Sequence, residues 1–214
     1  MWSKRVQYLN ENYPRISKND RIFLNNPVMM SGLGLAPLVV TANSGYNAVV
    51  LSVAVLLILT PTRVLGSFVS RVVKFRALAY CFSAAVIYMG AYLLLRDWFD
   101  VRVVSMGIYL PLLVVEPIVI KRYERNTPEK WTTALRKGIL TTAGYALVIM
   151  IIGLLREFLA TGMLFEEPIM KAPLLPMASL ASGGFVAVAL LCALWRAMVN
   201  MTKKWINMEA KKYQ

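Results

Sequence analysis

The chain has 214 residues, of which 58% are hydrophobic and only 16% charged, with a mean hydropathy of +0.57. Soluble domains carry about 45–50% apolar and about 25% charged residues, so the composition excludes an ordinary soluble enzyme and points to one membrane domain. A formal charge of +13 would suit a nucleic-acid binder, but the basic residues flank apolar runs and form no single basic face, so no nucleic-acid partner is expected.

In chain order, residues 1–26 are polar and lack the apolar core of a cleavable signal peptide. They are expected to form a cytoplasmic or interfacial arm in which Trp2, Tyr8, Leu9 and Tyr13 lie on the bilayer surface. Six apolar segments follow, over about 28–42, 45–60, 77–95, 103–120, 138–155 and 178–194, and a basic tail covers 201–214. A full span takes about 20 apolar residues. The first segment is short and holds Gly32, Gly34 and Pro37; the fourth holds Pro111, Glu116 and Pro117. Both are therefore predicted to be proline-broken helices, and Pro61 is expected to end the apolar core of the second. Trp98, Trp131, Trp195 and Trp205 fit interfacial anchors. The fold class expected is an all-α integral membrane protein with six transmembrane segments, its membrane domain occupying residues 27–200.

Lysine and arginine set the topology. Twenty of them fall on one side of these segments, and only Arg96, Arg102, Arg156 and Lys171 on the other. Basic residues stay in the cytoplasm, so both termini are predicted inside, with the chain in the inner (plasma) membrane. Each broken segment is followed by two ordinary ones. Three crossings per half invert the second half, so the segments form a predicted inverted 3+3 repeat, and in such folds broken helices meet near the midplane and build the working site.

Chemistry-bearing residues are few. The chain has no histidine, which removes imidazole acid–base chemistry and histidine metal ligation. No P-loop or dinucleotide fingerprint is present. Glu116 lies inside an apolar segment, where an ionised carboxylate costs about 2.5–3.5 kcal/mol at the bilayer centre. It is either an ion-coupling site for a proton or cation at the break, or a boundary carboxylate paired with Lys121 or Arg122. Arg156 and Glu157 end the fifth segment as a charge pair expected to contact a neighbouring subunit. Cys81 and Cys192 both sit inside apolar runs, with no CxxC spacing.

Three stretches carry a family resemblance: Asn26-Pro27-Val28 with Gly32-Leu33-Gly34-Leu35-Ala36-Pro37-Leu38; Gly107-Ile108-Tyr109-Leu110-Pro111-Leu112; and Leu155-Arg156-Glu157-Phe158 through Gly162-Met163-Leu164-Phe165. In this order the chain resembles the membrane subunits of Rnf and Nqr electron transport complexes, over roughly residues 25–200. Those complexes couple ferredoxin or NADH oxidation to Na⁺ or H⁺ transport. The resemblance is to the E type, whose implied partner is an A-type paralogue of inverted topology, among other complex subunits and membrane lipids.

The resemblance also implies a [2Fe–2S] cluster shared between the paralogues, with one cysteine from each broken helix. Here those positions are Ala36 and Pro117, neither of which ligates iron. The cluster is thus expected to be absent or held differently, and the chain to act as an electron-relay or non-catalytic subunit. Cys81 and Cys192 correspond under the inverted repeat and are the substitute ligands to weigh; a lone cysteine in an apolar helix otherwise behaves as a small hydrophobe. A structural subunit of such a complex and an independent small transporter remain alternative readings.

Overall fold

A computed structural model describes residues 11–13, 16–17, 19–73, 75–121 and 129–212. Trp2, Tyr8 and Leu9 of the expected surface segment lie outside the described residues, as does Arg122. The order of elements is α1 (Pro27–Ser31), α2 (Leu35–Thr41), α3 (Gly45–Val69), α4 (Arg76–Phe99), α5 (Val101–Ser105) and α6 (Tyr109–Leu112), which leads into a 3₁₀ turn (Leu113–Val115). Then come α7 (Trp131–Thr161), a small antiparallel hairpin of β1 (Met163–Leu164) and β2 (Glu167–Pro168), a second 3₁₀ turn (Pro176–Ser179), and α8 (Ala181–Lys211).

Four helices, α3, α4, α7 and α8, are long and apolar enough to cross a membrane. They are the second, third, fifth and sixth predicted segments. The first and fourth predicted segments are the short pairs α1–α2 and α5–α6. The long helices outrun their predicted bounds. Pro61 does not end α3, which continues through it to Val69 and carries the buried Arg63 beyond the predicted end of the second segment. A helix in lipid tolerates one proline because its neighbours stabilise the freed backbone. In the same way α8 runs unbroken past residue 201 to Lys211.

α3 and α7 form the centre of the bundle and run antiparallel, with Ala48 against Gly153 and Thr60 against Thr142. A Cβ on Gly153 would lie 2.6 Å from that of Ala48. Small residues of this kind let membrane helices approach backbone to backbone and gain dispersion contact, because lipid supplies no hydrophobic drive between them. The hydroxyls of Thr60 and Thr142 meet at 3.1 Å in the same seam. Trp195 on α8 is buried instead of interfacial: its indole N–H donates to the Phe23 carbonyl at 2.9 Å, and its ring packs on Phe23. Trp98, Trp131 and Trp205 are exposed.

Two adjacent residues at the end of α7 tie the connections together. The fully buried Arg156 directs all five of its N–H groups at carbonyls. Its Nε donates to Ala178 (2.9 Å); Nη1 donates to Val39 (2.5 Å) and Ala42 (3.0 Å); Nη2 donates to Ser179 (3.1 Å) and Leu180 (3.2 Å). It thereby satisfies the orphan carbonyls at the end of α2 and those of the turn before α8. Glu157 does the reverse. Its carboxylate accepts from the N–H groups of Gly45 (2.8 Å), Phe165 (3.1 Å) and Glu166 (2.9 Å). The first is an orphan donor at the start of α3. The other two belong to the hairpin turn, where both residues have positive φ and the carboxylate offsets the strain. The pair therefore acts within this chain, in place of the neighbouring-subunit contact expected for it.

At the opposite end, Glu129 gathers Lys121 (2.8 Å), Lys137 (2.5 Å) and Arg63 (3.4 Å) and links the loop before α7 to α3. Burial raises the Glu129 carboxyl, but these cations outweigh burial and hold it below its ordinary value of 4.5.

Two outcomes follow from this packing. Arg156→Lys leaves at least two buried carbonyls without donors and lowers stability by at least about 2 kcal/mol; thermal unfolding of the detergent-solubilised protein reads this, and an unchanged midpoint would refute it. Because the folded Glu129 has the lower pKa, its contribution is present in full above 4.5 and fades as pH falls through the folded value. The stability gap between wild type and Glu129→Gln is thus widest at neutral pH and closes in acid.

Candidate functional site

Both interruptions are made by glycine. In the first, Gly32 (φ 67°) closes α1 and Gly34 (φ 71°) opens α2; in the second, Gly107 (φ 54°) separates α5 from α6. Pro37 and Pro111 lie inside the first turns of α2 and α6, where a missing N–H is tolerated because it has no intrahelical acceptor. The breaks predicted at the prolines thus fall three and four residues earlier, because only glycine enters the left-handed region at no steric cost.

The first break is anchored by side chains whose hydrogen bonds replace missing helical ones. Asn26, fully buried, caps α1 by accepting from Val28 (3.0 Å) and Met29 (3.3 Å), and donates to the Gly144 carbonyl on α7 at 2.8 Å. Tyr145, also fully buried, donates to the Gly34 carbonyl at 2.6 Å. A Cβ at Gly34 would come within 2.7 Å of that hydroxyl, so close approach as well as positive φ demands glycine here. Arg196 on α8 donates to the Met29 and Met30 carbonyls at the end of α1.

The second break comes to the same place. α6 packs against α2, and its 3₁₀ turn ends at the half-buried Glu116. Of the two partners expected from sequence, Lys121 forms an ion pair with Glu129, and Arg122 lies outside the described residues. Tyr145, which holds the first break, lies close to the middle of the membrane-length helix α7. Above this point a cavity of about 200 Å³ opens between the end of α2 and the start of α6, lined by Thr41, Asn43, Asn47, Ser105 and Tyr109 among others.

The positions matched to the family cluster do not fit iron. Ala36 is exposed on α2, and Pro117 is half-buried just after Glu116; a methyl group and a pyrrolidine ring offer no thiolate. Cys81 on α4 and Cys192 on α8 are both half-buried, the latter with its sulfur 3.5 Å from that of Met29. Among the described residues, no group of three or more His, Cys, Asp or Glu side chains could hold a metal. One face of the breaks, including Gly32, Ala36, Ile108, Leu112 and Val115, is exposed.

Tyr145 and Asn26 were not legible as site residues. The available signal was a hydroxyl and an amide within or beside apolar runs, groups that must find partners at depth. Tyr145→Phe keeps the ring but orphans the Gly34 carbonyl, and is expected to cost about 1–3 kcal/mol. Limited proteolysis between residues 31 and 44 should speed up correspondingly; an unaltered cleavage rate would remove Tyr145 from this role.

Comparison with known proteins agrees with this arrangement. Residues 17–192 match the family described as Rnf-Nqr subunit, membrane protein. The chain is 32% identical over 151 residues to the E-type subunit of the ion-translocating oxidoreductase complex of Pseudomonas paraeruginosa (strain DSM 24068 / PA7), spanning 69% of this chain and 63% of that relative. It is 31% identical over 192 residues to the protein of the same name from Shewanella sp. (strain ANA-3), spanning 81% of this chain and 82% of the relative. The corresponding Haemophilus influenzae (strain PittEE) protein is 31% identical over 148 residues, covering 68% and 63%. The family match runs from before α1 into α8 and takes in both interrupted segments, and the chain belongs to the Rnf-Nqr family of membrane subunits.

Proposed function

We propose that this chain is an E-type subunit of an Rnf- or Nqr-like complex in the inner membrane, coupling electron transfer on other subunits to ion movement. The family match across both interrupted segments carries this reading. In it the short pairs α1–α2 and α5–α6 are the remaining two crossings of an inverted 3+3 repeat with both termini in the cytoplasm, as the asymmetry of lysine and arginine supports. Non-helical backbone at membrane depth is tolerated where protein covers it. The exposed face around Ala36, Leu112 and Val115 is therefore read as the surface that packs against an A-type paralogue of opposite topology.

In this reading the chain supplies no half of an iron–sulfur cluster, since Ala36 and Pro117 carry no thiolate. In it Glu116 is the ion-coupling residue, since it is the carboxylate that directly follows the turn ending the second interrupted segment. The missing ligands also favour a second reading, a non-redox subunit that holds its neighbours in place while electrons pass elsewhere.

Purification in mild detergent tests the assignment. The chain is expected to emerge with flavin- or iron–sulfur-containing partners and a paralogue of its own family; isolation alone would rule the reading out. Ala36→Trp, at an exposed position, should release the paralogue without unfolding this chain. The electron paramagnetic resonance spectrum of the complex should be unaltered by Cys81→Ser and Cys192→Ser, and an iron–sulfur signal lost in either variant would make that cysteine a ligand.

A further inference from the structure

Two uncovered faces of α4 differ in kind. One carries Phe82, Val86, Met89 and Leu93, all exposed and wholly apolar, as a surface against lipid tails should be. The other has the same spacing one residue earlier and carries Cys81, Ala85, Tyr88 and Tyr92. Ala85 is exposed and the other three are half-buried. The rings of Tyr88 and Tyr92 rest against the core of the bundle, with their centroids 5.9 Å apart. Among the described residues neither hydroxyl has a hydrogen-bond partner.

Depth makes this costly. α4 has 24 residues, and Tyr88 lies about 17 Å from either end at the helical rise. Side chains on a helix lean toward its N-terminus, which draws Tyr92, one turn on, toward the same level. Lipid tails offer a phenol no acceptor there. Tyr145, near the middle of α7, meets the same demand inside the chain by donating to the Gly34 carbonyl. For Tyr88 and Tyr92 a neighbour at that depth has to supply the acceptors.

The shape of the seam selects the neighbour. It is narrow at Cys81 and Ala85 and broad at the two tyrosines. Copies of this chain inserted the same way would meet in parallel across a two-fold axis. Tyrosine would then face tyrosine and small residue would face small, so the helices could not pack closely at both ends. A different helix, wide where this one is narrow, has no such conflict. The seam also lies beside the exposed face of the second break, whose 3₁₀ turn packs on α4 and leaves Val115 exposed.

We propose that the Cys81–Tyr92 seam of α4 docks a transmembrane helix of another subunit. That helix carries large apolar residues opposite Cys81 and Ala85, and serine, threonine, asparagine or glutamine opposite Tyr88 and Tyr92. Side-chain oxygens of these types accept hydrogen bonds between helices in lipid. This rests on the reading of the chain as a subunit of a complex.

The test places photoreactive benzoylphenylalanine at Ala85 in the complex purified in mild detergent, and maps the adduct by mass spectrometry. The adduct is expected on a transmembrane helix of a co-purified subunit, within a turn or two of a hydroxyl or amide side chain. The double variant Tyr88→Phe with Tyr92→Phe should raise several-fold the share of this chain released from the complex on mild heating. The melting temperature of the same variant as an isolated full chain should be unchanged or higher, because no bond within the chain is lost. A lower melting temperature would make the tyrosines part of this chain's own packing and overturn the proposal. An adduct to a second copy, or to lipid alone, overturns the docking surface, and unaltered release of the double variant overturns the hydrogen bonds. Partners that co-purify without linking to Ala85 sink the seam alone, whereas a chain that emerges without partners sinks the subunit reading. Should benzoylphenylalanine block assembly, the double variant alone decides.

Discussion

The guanidinium of Arg156 organises the structure around it. A membrane segment that stops and restarts leaves carbonyls and amides with neither helical partners nor water, and each such group buried alone is costly. Arg156 answers the carbonyls at the end of α2 and at the turn into α8, and its neighbour Glu157 answers the amides that begin α3 and shape the hairpin. Two adjacent residues on one rigid helix thus fix two connections at once. Arginine suits this because its donors form a planar fork that is always charged, and glutamate because it only accepts. Neither charge is paired with the other; both are neutralised by backbone dipoles. The two breaks can then be held open at depth.

With the connections fixed, the two breaks meet. Asn26 and Tyr145 hold the first break against α7, and the second packs against it, α6 on α2. The result is a junction of backbone polar groups answered by the side chains of Asn26 and Tyr145. In a family whose relatives are named as subunits of ion-translocating oxidoreductase complexes, this chain keeps the interrupted architecture while its residues at the two cluster positions are chemically inert. The exposed apolar face around Ala36 and Val115 fits a subunit that is completed by its neighbours.

Several differences from the sequence reading share one cause. Proline was read as the breaker, yet Pro37 and Pro111 sit in first turns and Pro61 inside α3, while the interruptions lie at Gly34 and Gly107. Proline lacks a donor, which matters only where an acceptor waits; glycine permits the left-handed turn that truly ends a helix. Arg63, beyond the predicted end of the second segment, and Trp195 are each buried, with partners distant in the chain, Glu129 and Phe23. Glu116 was open between a boundary pair with Lys121 and a site at the break. Lys121 pairs with Glu129, which lies beyond the segment, and Arg122 lies outside the described residues.

Sequence alone determined what depends on composition and local order: a membrane protein, four long apolar segments with one interrupted stretch before the first and another between the second and third, the family, and the absence of thiolates at the two matched positions. These follow from transfer energies and backbone preferences, which act residue by residue. Only the tertiary structure decided which polar groups answer one another: Arg156 with five carbonyls, Glu157 with three amides, and Tyr145 with Gly34. The pairings of Arg156 with Val39 and Ala42, of Glu157 with Gly45 and of Tyr145 with Gly34 each span more than a hundred positions, the last at a separation of 111. No local rule encodes them. They arise because a buried donor or acceptor in lipid must take whichever partner the packed helices bring within reach.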